Sequence, residues 1–311
     1  MAVFCAGQLV ADIIVKPVDA LLSGQDTSRV EQIVVKNGGD MMNTAISLSR
    51  LGNHVVCSGK VGDDDFGRFL SDTLRAEKID TRGVTLVREV PTSSVIVLVT
   101  TDGERKFLYF GGSNDYFQYE DIDLSLLDGC ENVHVGGTYN LPRFDGEGAA
   151  ALFRQARKKG KQTSMDVTWD SNGQWLSTIR PCLPHLDFFM PSFEEAKNIT
   201  GEQEPEAIAT ALMEEGVGTV VLKLGKAGCY LKNSSESFSL PAFDVPVVDT
   251  TGAGDSFVAG FLTGLQNRWE LRRCAQFASA VSAFCIQSLG ATTGIPGAEE
   301  VLHFLEQCDK I

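Results

Sequence analysis

Near the C-terminal third, Pro246-Val247-Val248-Asp249-Thr250-Thr251-Gly252-Ala253-Gly254-Asp255-Ser256-Phe257 runs an apolar strand end into a glycine loop, then into a small-residue helix near Asp255. Gly252 and Gly254 let consecutive backbone N–H groups point outward at a helix N-terminus, where the dipole also favours negative charge. That is an anion hole, suited to a phosphoryl group in transit. A carboxylate there is misplaced unless it acts. Asp255 can take the proton of an attacking hydroxyl while the loop's N–H groups carry the charge of the transferred group. For a glycine turn taken alone, a plain helix-capping Asp255 stands as an equal alternative.

A second segment fits the same chemistry. Asn37-Gly38-Gly39-Asp40-Met41-Met42-Asn43 puts a glycine pair directly before a helix. Gly38 and Gly39 allow the backbone to approach a ligand closely. Asn43, in the first helical turn, offers both a donor and an acceptor to sugar hydroxyls, although an Asn there also serves as an ordinary helix-terminal hydrogen-bonding residue. Asp12, just past the first strand, supplies a carboxylate at a strand's C-terminal end, where open α/β sheets bind ligands.

The elements that must position these residues alternate. Short apolar runs at 3–7, 54–59, 132–135, 162–166, 188–190 and 219–224 suit strands buried on both faces. Helical patterns at 41–51, 66–77, 146–159, 193–200 and 205–215 separate them, and beyond Gly254 the pattern is mainly helical: 254–265, 271–287 and 298–308. This predicts an α/β fold, a mostly parallel central sheet with helices on both sides, in three αβα layers. Two segments, about 13–36 and 91–112, carry strand signals without a helix between them. In the second, Thr101-Asp102-Gly103-Glu104 separates β-rich runs as a hairpin turn would. They are expected to form a small separate sheet, a lid inserted into a single domain of 1–311.

Composition narrows the function. With 27 Lys and Arg against 41 Asp and Glu, the net charge is −14, which disfavours nucleic acid or an anionic membrane surface as partner. No apolar run approaches the roughly 18 residues that span a bilayer, and the opening residues lack the basic region of a signal peptide. Eight scattered cysteines without C-x-x-C argue for reduced thiols in the cytoplasm. No H-E-x-x-H and no G-x-S-x-G is present, against a zinc protease or an α/β-hydrolase. No G-x-G-x-x-G follows the first strand, against a dinucleotide-dependent oxidoreductase.

Over essentially its whole length the chain resembles the ribokinase-like (PfkB) family of carbohydrate kinases. Gly38-Gly39-x-x-x-Asn43-x-Ala45 with Leu51-Gly52 looks like the family's first signature, and Asp249-Thr250-Thr251-Gly252-Ala253-Gly254-Asp255 like its second. Gly62-Asp63-Asp64-Asp65-Phe66-Gly67 also matches a family turn, read here as acidic residues opening a helix. The resemblance implies an ATP-dependent sugar kinase, with Asp255 as catalytic base beside the Gly252–Gly254 anion hole. Asp12, Gly39 and Asn43 would bind the sugar. Lys223, Gly225, Gly228, Ser192 and Ser279 would meet the nucleotide. Where the family often has Asn-x-x-Glu, this chain has Ser192-Phe193-Glu194-Glu195, which implies magnesium held through water by Glu195, with Glu194 as the competing register. Asp249 and Thr251, with Cys285, Ser288, Gly290 and Gly294, match a loop for a monovalent cation, and the resemblance implies potassium there. The exposed edges expected of lid strands suggest a homodimer through the lid.

The stretch Tyr109-Phe110-Gly111-Gly112-Ser113-Asn114 lacks the Arg that 2-keto-3-deoxygluconate kinases tend to carry there, favouring a neutral sugar, although Arg105 or Arg143 is available to meet an acid. A nucleoside kinase, a 2-keto-3-deoxy sugar-acid kinase and a catalytically silent sugar-binding regulator are the alternatives. Trp169 is read as core more readily than as a stacking surface, and Tyr139 and Asn140 carry the same ambiguity. Met41 and Met42 are read as core filling.

Overall fold

The structure, a computed structural model, describes residues 2–19, 29–102 and 104–308. In chain order its strands are β1 (Ala2–Gly7), β2 (Val10–Lys16), β3 (Gln32–Gly38), β4 (His54–Gly62), β5 (Asp80–Val87), β6 (Ser94–Val99), β7 (Arg105–Phe110), β8 (Cys130–Thr138), β9 (Gln162–Val167), β10 (Phe188–Phe189), β11 (Thr219–Lys223), β12 (Cys229–Lys232) and β13 (Ser237–Leu240). The helices are α1 (Asp40–Arg50), α2 (Asp65–Ala76), α3 (Glu147–Lys158), α4 (Leu176–Ile179), α5 (Phe193–Thr200), α6 (Pro205–Glu214), α7 (Ala253–Gln266), α8 (Leu271–Ile286) and α9 (Ala298–Cys308).

The main sheet runs β13-β12-β11-β10-β9-β8-β1-β4-β5. Every neighbouring pair from β5 to β11 is parallel, and β12 and β13 add an antiparallel hairpin at one edge. Side chains alternate across a strand, so β1 feeds both layers. Val3 and Cys5 join a core with α1, α2, α7, α8 and α9, while Phe4 and Ala6 join a second core with α3, α5 and α6. The three-layer expectation holds. The strands at the two ends of this sheet, β5 on one side and the β12–β13 hairpin on the other, lie outside the expected runs: β5 carries Asp80, Thr81, Arg82 and Thr85, and the other two are four residues each, so none shows a continuous apolar run.

From β1 the chain moves to β4 and β5 on one side, then returns to β8 on the other. The strand order therefore reverses between β1 and β8, the place where a crevice opens at the strand C-termini of an open sheet.

A second sheet, ordered β3-β2-β6-β7, lies over that crevice, and β2 pairs with β6 in parallel because a long crossover separates them. Residues 20–28, within the first lid segment, and Gly103, in the expected hairpin turn, lie outside the described residues. The register pairs Asp12 with Lys36 and Val95, and Val95 with Tyr109, so these share one face. Val35, Ile13, Ile96 and Leu108 form a row on the opposite face. At the junction of the two sheets Asn114 acts as a surrogate strand: its side chain accepts from Leu9 N at 3.3 Å and donates to Leu9 O at 3.1 Å.

Candidate active site

A cleft of about 830 Å³ opens beneath the second sheet, lined by Asp12, Gly39, Asp40 and Asn43 on one side and by Ser192, Glu195, Lys223, Gly225, Gly228 and the Thr251–Asp255 turn on the other. Its floor is the helix start that the glycine loop builds. Gly252 caps α7 with φ 77°, a left-handed conformation that glycine adopts freely. A Cβ there would lie 2.4 Å from Ala291 O, so shape and conformation both demand glycine. The amide of Ala253 donates to Thr250 O at 3.2 Å, closing the turn, whereas those of Gly252, Gly254 and Asp255 have no backbone acceptor among the described residues. The anion hole therefore shifts by one residue. Ala253 spends its amide on the turn, and the amide of Asp255 is free where that of Ala253 was expected.

Asp255 is buried by packing but reaches the cleft, and Asn43 holds it. Asn43 Nδ2 donates to Asp255 Oδ2 at 2.9 Å, and Asn43 Oδ1 accepts from Asn37 Nδ2 at 3.0 Å. Thr44 Oγ1 donates to Asp255 O at 3.3 Å. Asn43 thus orients the carboxylate across the α1–α7 contact. Burial, with the neighbouring charges of Asp166 and Glu195, pushes Asp255 up to about 7 against the opposing pull of Asn43 and Lys223. Asp12 rises to about 7 through burial and the charge of Asp255. Asp40 is pushed well above the usual carboxylate range by burial and by Asp255, Asp166 and Glu195. Asp12 can stand so close because its neighbour is Gly38, where a Cβ would fall 2.2 Å from its Oδ1.

Lys223, at the end of β11, forms an ion pair with Asp166 at the end of β9. Burial alone would lower its pKa, but Asp166 and Glu195 outweigh that and keep it charged. A Cβ on Gly254 would sit 3.2 Å from Lys223 Nζ, so the ammonium borders the anion hole. Ser192 and Glu195 form a capping box: Ser192 N donates to Glu195 Oε2 at 2.7 Å, and Glu195 N to Ser192 Oγ at 3.4 Å. This turns Glu195 to the cleft. Glu194 instead pairs with Lys197 at 3.2 Å on the surface, which removes the competing register.

Residues 2–298 match the pfkB family carbohydrate kinase profile. The chain belongs to the pfkB family of carbohydrate kinases. It is 27% identical over 299 residues to the probable fructokinase-2 of Arabidopsis thaliana, with 91% of each chain covered. It is 28% identical over 289 residues to the 2-dehydro-3-deoxygluconokinase of Bacillus subtilis, with 86% of each covered. The Arabidopsis thaliana ribokinase solved with ribose and ATP superposes with TM-score 0.86 at 24% identity, covering 98% of both chains. This carbohydrate kinase is therefore a phosphotransferase with an alcohol acceptor.

Some site residues of the kinase fall elsewhere than the sequence indicates. Ser279, read as a nucleotide contact, is buried on α8 facing Cys229, while Ser282, one turn on, lines the cleft. Trp169, read as core, is 54% exposed on the cleft rim with its edge against Trp175 at 5.0 Å. Asn140 lines the cleft, Tyr139 is buried with its hydroxyl donating to Trp175 O at 3.0 Å, and Met41 and Met42 are core. Asp64 caps α2, accepting from Gly67 N at 2.8 Å. Asp166, Gln8 and Ser282 escaped the sequence reading. Asp166 had the signal Asp12 has, a carboxylate closing an apolar strand. The residues read as a monovalent-cation loop gather around a carboxylate that already pairs with a side-chain cation: Asp249 accepts from Thr251 N and Gly290 N, each at 2.8 Å, and pairs with Arg105 at 2.7 Å. Burial would raise Asp249, yet these partners hold it below its ordinary value.

Gly252→Ala should leave the circular dichroism spectrum intact and lower kcat by about 10²–10³, the loss expected when an anion-hole donor is displaced. A variant with unchanged kcat would dissociate this turn from the chemistry.

Proposed function

We propose that the protein transfers the γ-phosphate of ATP to a hydroxymethyl group of a small neutral monosaccharide, with Asp255 as general base. The observation that carries this reading is the meeting of an oriented carboxylate, three free amides and an ammonium at one helix start. The hydroxyl gives its proton to Asp255 as its oxygen attacks the γ-phosphorus. The new O–P bond forms as the bond to the β-phosphate oxygen breaks, and ADP leaves with that electron pair. The amides of Gly252, Gly254 and Asp255, with Lys223, face the charge on the moving phosphoryl group.

Asp12, Gly39, Asn43, Gln8 and Asn140 line the sugar side, and Ser192, Lys223, Gly225 and Gly228 the nucleotide side. Glu195 and Asp166 fit magnesium, which keeps several waters and takes few protein carboxylates; when bound it would supply positive charge against the phosphates. The second sheet covers the reacting atoms and excludes water that would intercept the phosphoryl group.

A neutral acceptor is supported by charge. Among the described lining residues Lys223 is the one cation, and Asp166 already pairs with it. Arg105 is engaged by Asp249, and the Arg143 guanidinium lies 4.2 Å above the Tyr116 ring. A sugar acid or sugar phosphate would bring a further anion beside Asp12 and Asp40. The exposed face of Trp169 favours one second reading, a nucleoside whose base stacks there. Eight unpaired thiols, seven of them buried, support a reducing, cytoplasmic setting. The described residues contain no helix long and apolar enough to cross a membrane.

The outer face of the second sheet supports a homodimer. Ile33, Val35, Ile96, Leu108 and Phe110 are all exposed on or beside it, with Leu108 at 58%, and a patch of that kind is normally covered.

Three outcomes are expected. Asp255→Asn lowers kcat by about 10²–10⁴ while sugar binding by calorimetry changes little. The base works ionised, so kcat/KM of the parent enzyme falls as pH drops through about 7, and that acid limb disappears in Asp255→Asn; near-normal turnover of the variant removes the role. In a panel of fructose, ribose, a 3-deoxy-2-keto sugar acid and purine nucleosides, a neutral sugar leads the acid in kcat/KM by about tenfold or more, the scale of one uncompensated charge. Trp169→Ala weakens only nucleosides, and dominance of the sugar acid would overturn the charge argument. Sedimentation finds a dimer that Leu108→Asp converts to a monomer; a monomeric parent protein rules the lid interface out.

A further inference from the structure

Asp249 opens the turn that leads through Thr251 to Gly252, so whatever fixes its carboxylate fixes where the anion-hole amides point. Both of its oxygens are engaged. Oδ1 accepts from Thr251 N at 2.8 Å and from the Arg105 guanidinium at 2.7 Å, and Oδ2 accepts from Gly290 N at 2.8 Å. Among the carbonyls nearby, Cys285 O accepts from Ser288 N at 3.2 Å, and the one Cys285 thiol hydrogen is shared between Thr251 O at 3.4 Å and Ala291 O at 3.2 Å. A monovalent metal ion would need these same oxygens and would bring one positive charge. That charge is already present, on a side chain.

Arg105 is the first residue of β7, at the far end of the β6–β7 hairpin from the main sheet. Its side chain is 25% exposed and that of Asp249 only 3%. The pair thus joins the tip of the second sheet to the buried root of the anion hole. We infer that the Arg105 guanidinium is the resident monovalent cation of the anion-hole loop, carried in by the lid, so that the kinase needs no potassium and completes its phosphoryl site only when the lid is down. Arg105 touches neither substrate in this arrangement. It is a positioning residue, acting through Asp249. Arginine suits the place because its fork is planar and permanently charged, and it matches a carboxylate geometrically. The catalytic consequence rests on the kinase reading; the occupancy of the cation position does not.

The test compares potassium chloride with choline chloride at equal ionic strength. Wild-type kcat on its preferred neutral sugar should agree between the two within about twofold. Arg105→Ala in choline should lose about 10- to 100-fold in kcat, the scale of a lost charge-assisted hydrogen bond, with KM for the sugar moving less. Potassium should restore it several-fold, a rescue that a merely structural contact would not show. Arg105→Lys keeps a charge and should remain indifferent to potassium, which guards against poor folding of the alanine variant. Strong potassium activation of the wild type, or an alanine variant with wild-type kcat and no potassium response, overturns the inference. Thermal melts without substrates give a second readout: potassium should leave the wild type unshifted and raise Arg105→Ala by about 2 °C or more, as a ligand bound only to the folded state does. An equal shift in both overturns it. If no acceptor in the panel is phosphorylated, the kinase reading fails on its own while the melts still decide this one.

Discussion

A carboxylate has to be held where phosphate must come. On the proposed reading Asp255 lies beside the transferred group to take a proton from its acceptor, yet every nearby anion opposes it. Two like charges about 4 Å apart repel by about 4 kcal/mol at an effective dielectric near 20. The fold answers with fixed partial charges. The start of α7 brings three free amides, Lys223 brings an ammonium from β11, and Asn43 clamps the carboxylate from α1. Burial then does the remaining work, since it raises Asp255 towards neutrality, where a base is ionised at working pH yet basic enough to accept a proton.

That balance explains why the second sheet has such different surfaces. Its inner face carries Asp12, Val95 and Tyr109 into the cleft, with Gln8 Nε2 donating to the Tyr109 hydroxyl at 3.3 Å. Its outer face is apolar. Its tip carries Arg105. Period-2 alternation permits the first two on the same strands, because neighbouring residues cannot share a face. The tip charge needs only the hairpin's length. One small sheet therefore covers the cleft, presents an exposed apolar face and reaches the turn before α7, without any residue serving two of these.

Much of this is legible in the chain. The glycine turns announce themselves because only particular backbone conformations allow amides to converge, and glycine is where the sequence records that need. Ser192-x-x-Glu195 is readable as a capping box, and that alone would have chosen Glu195 over Glu194. Other features leave no local trace. Which amide of Gly252-Ala253-Gly254 is spent on the turn depends on Thr250 O, a matter of torsion angles. Ser279 and Ser282 differ only in the phase of α8 against its neighbours. Trp169 has the composition of a core residue and is held at the rim by Trp175. The Arg105–Asp249 pair joins segments that no periodicity connects, so a sequence showing a complete cation loop conceals that its carboxylate is already engaged.

A tethered charge differs from a dissolved one in when it arrives. A free ion occupies its loop at a level set by its concentration, whatever the lid is doing. A guanidinium on the lid tip has a high effective concentration at Asp249 when the hairpin is down and almost none when it is raised. With such a charge rooted at Asp249, the amides that receive the phosphoryl group are held in place while the reacting atoms are screened from water, and are loosened when the cleft opens. Water meets the nucleotide only in the state where the anion hole lacks its anchor. On that inference the ion pair would favour transfer to a sugar over hydrolysis, adding to the contacts by which the cleft holds the sugar.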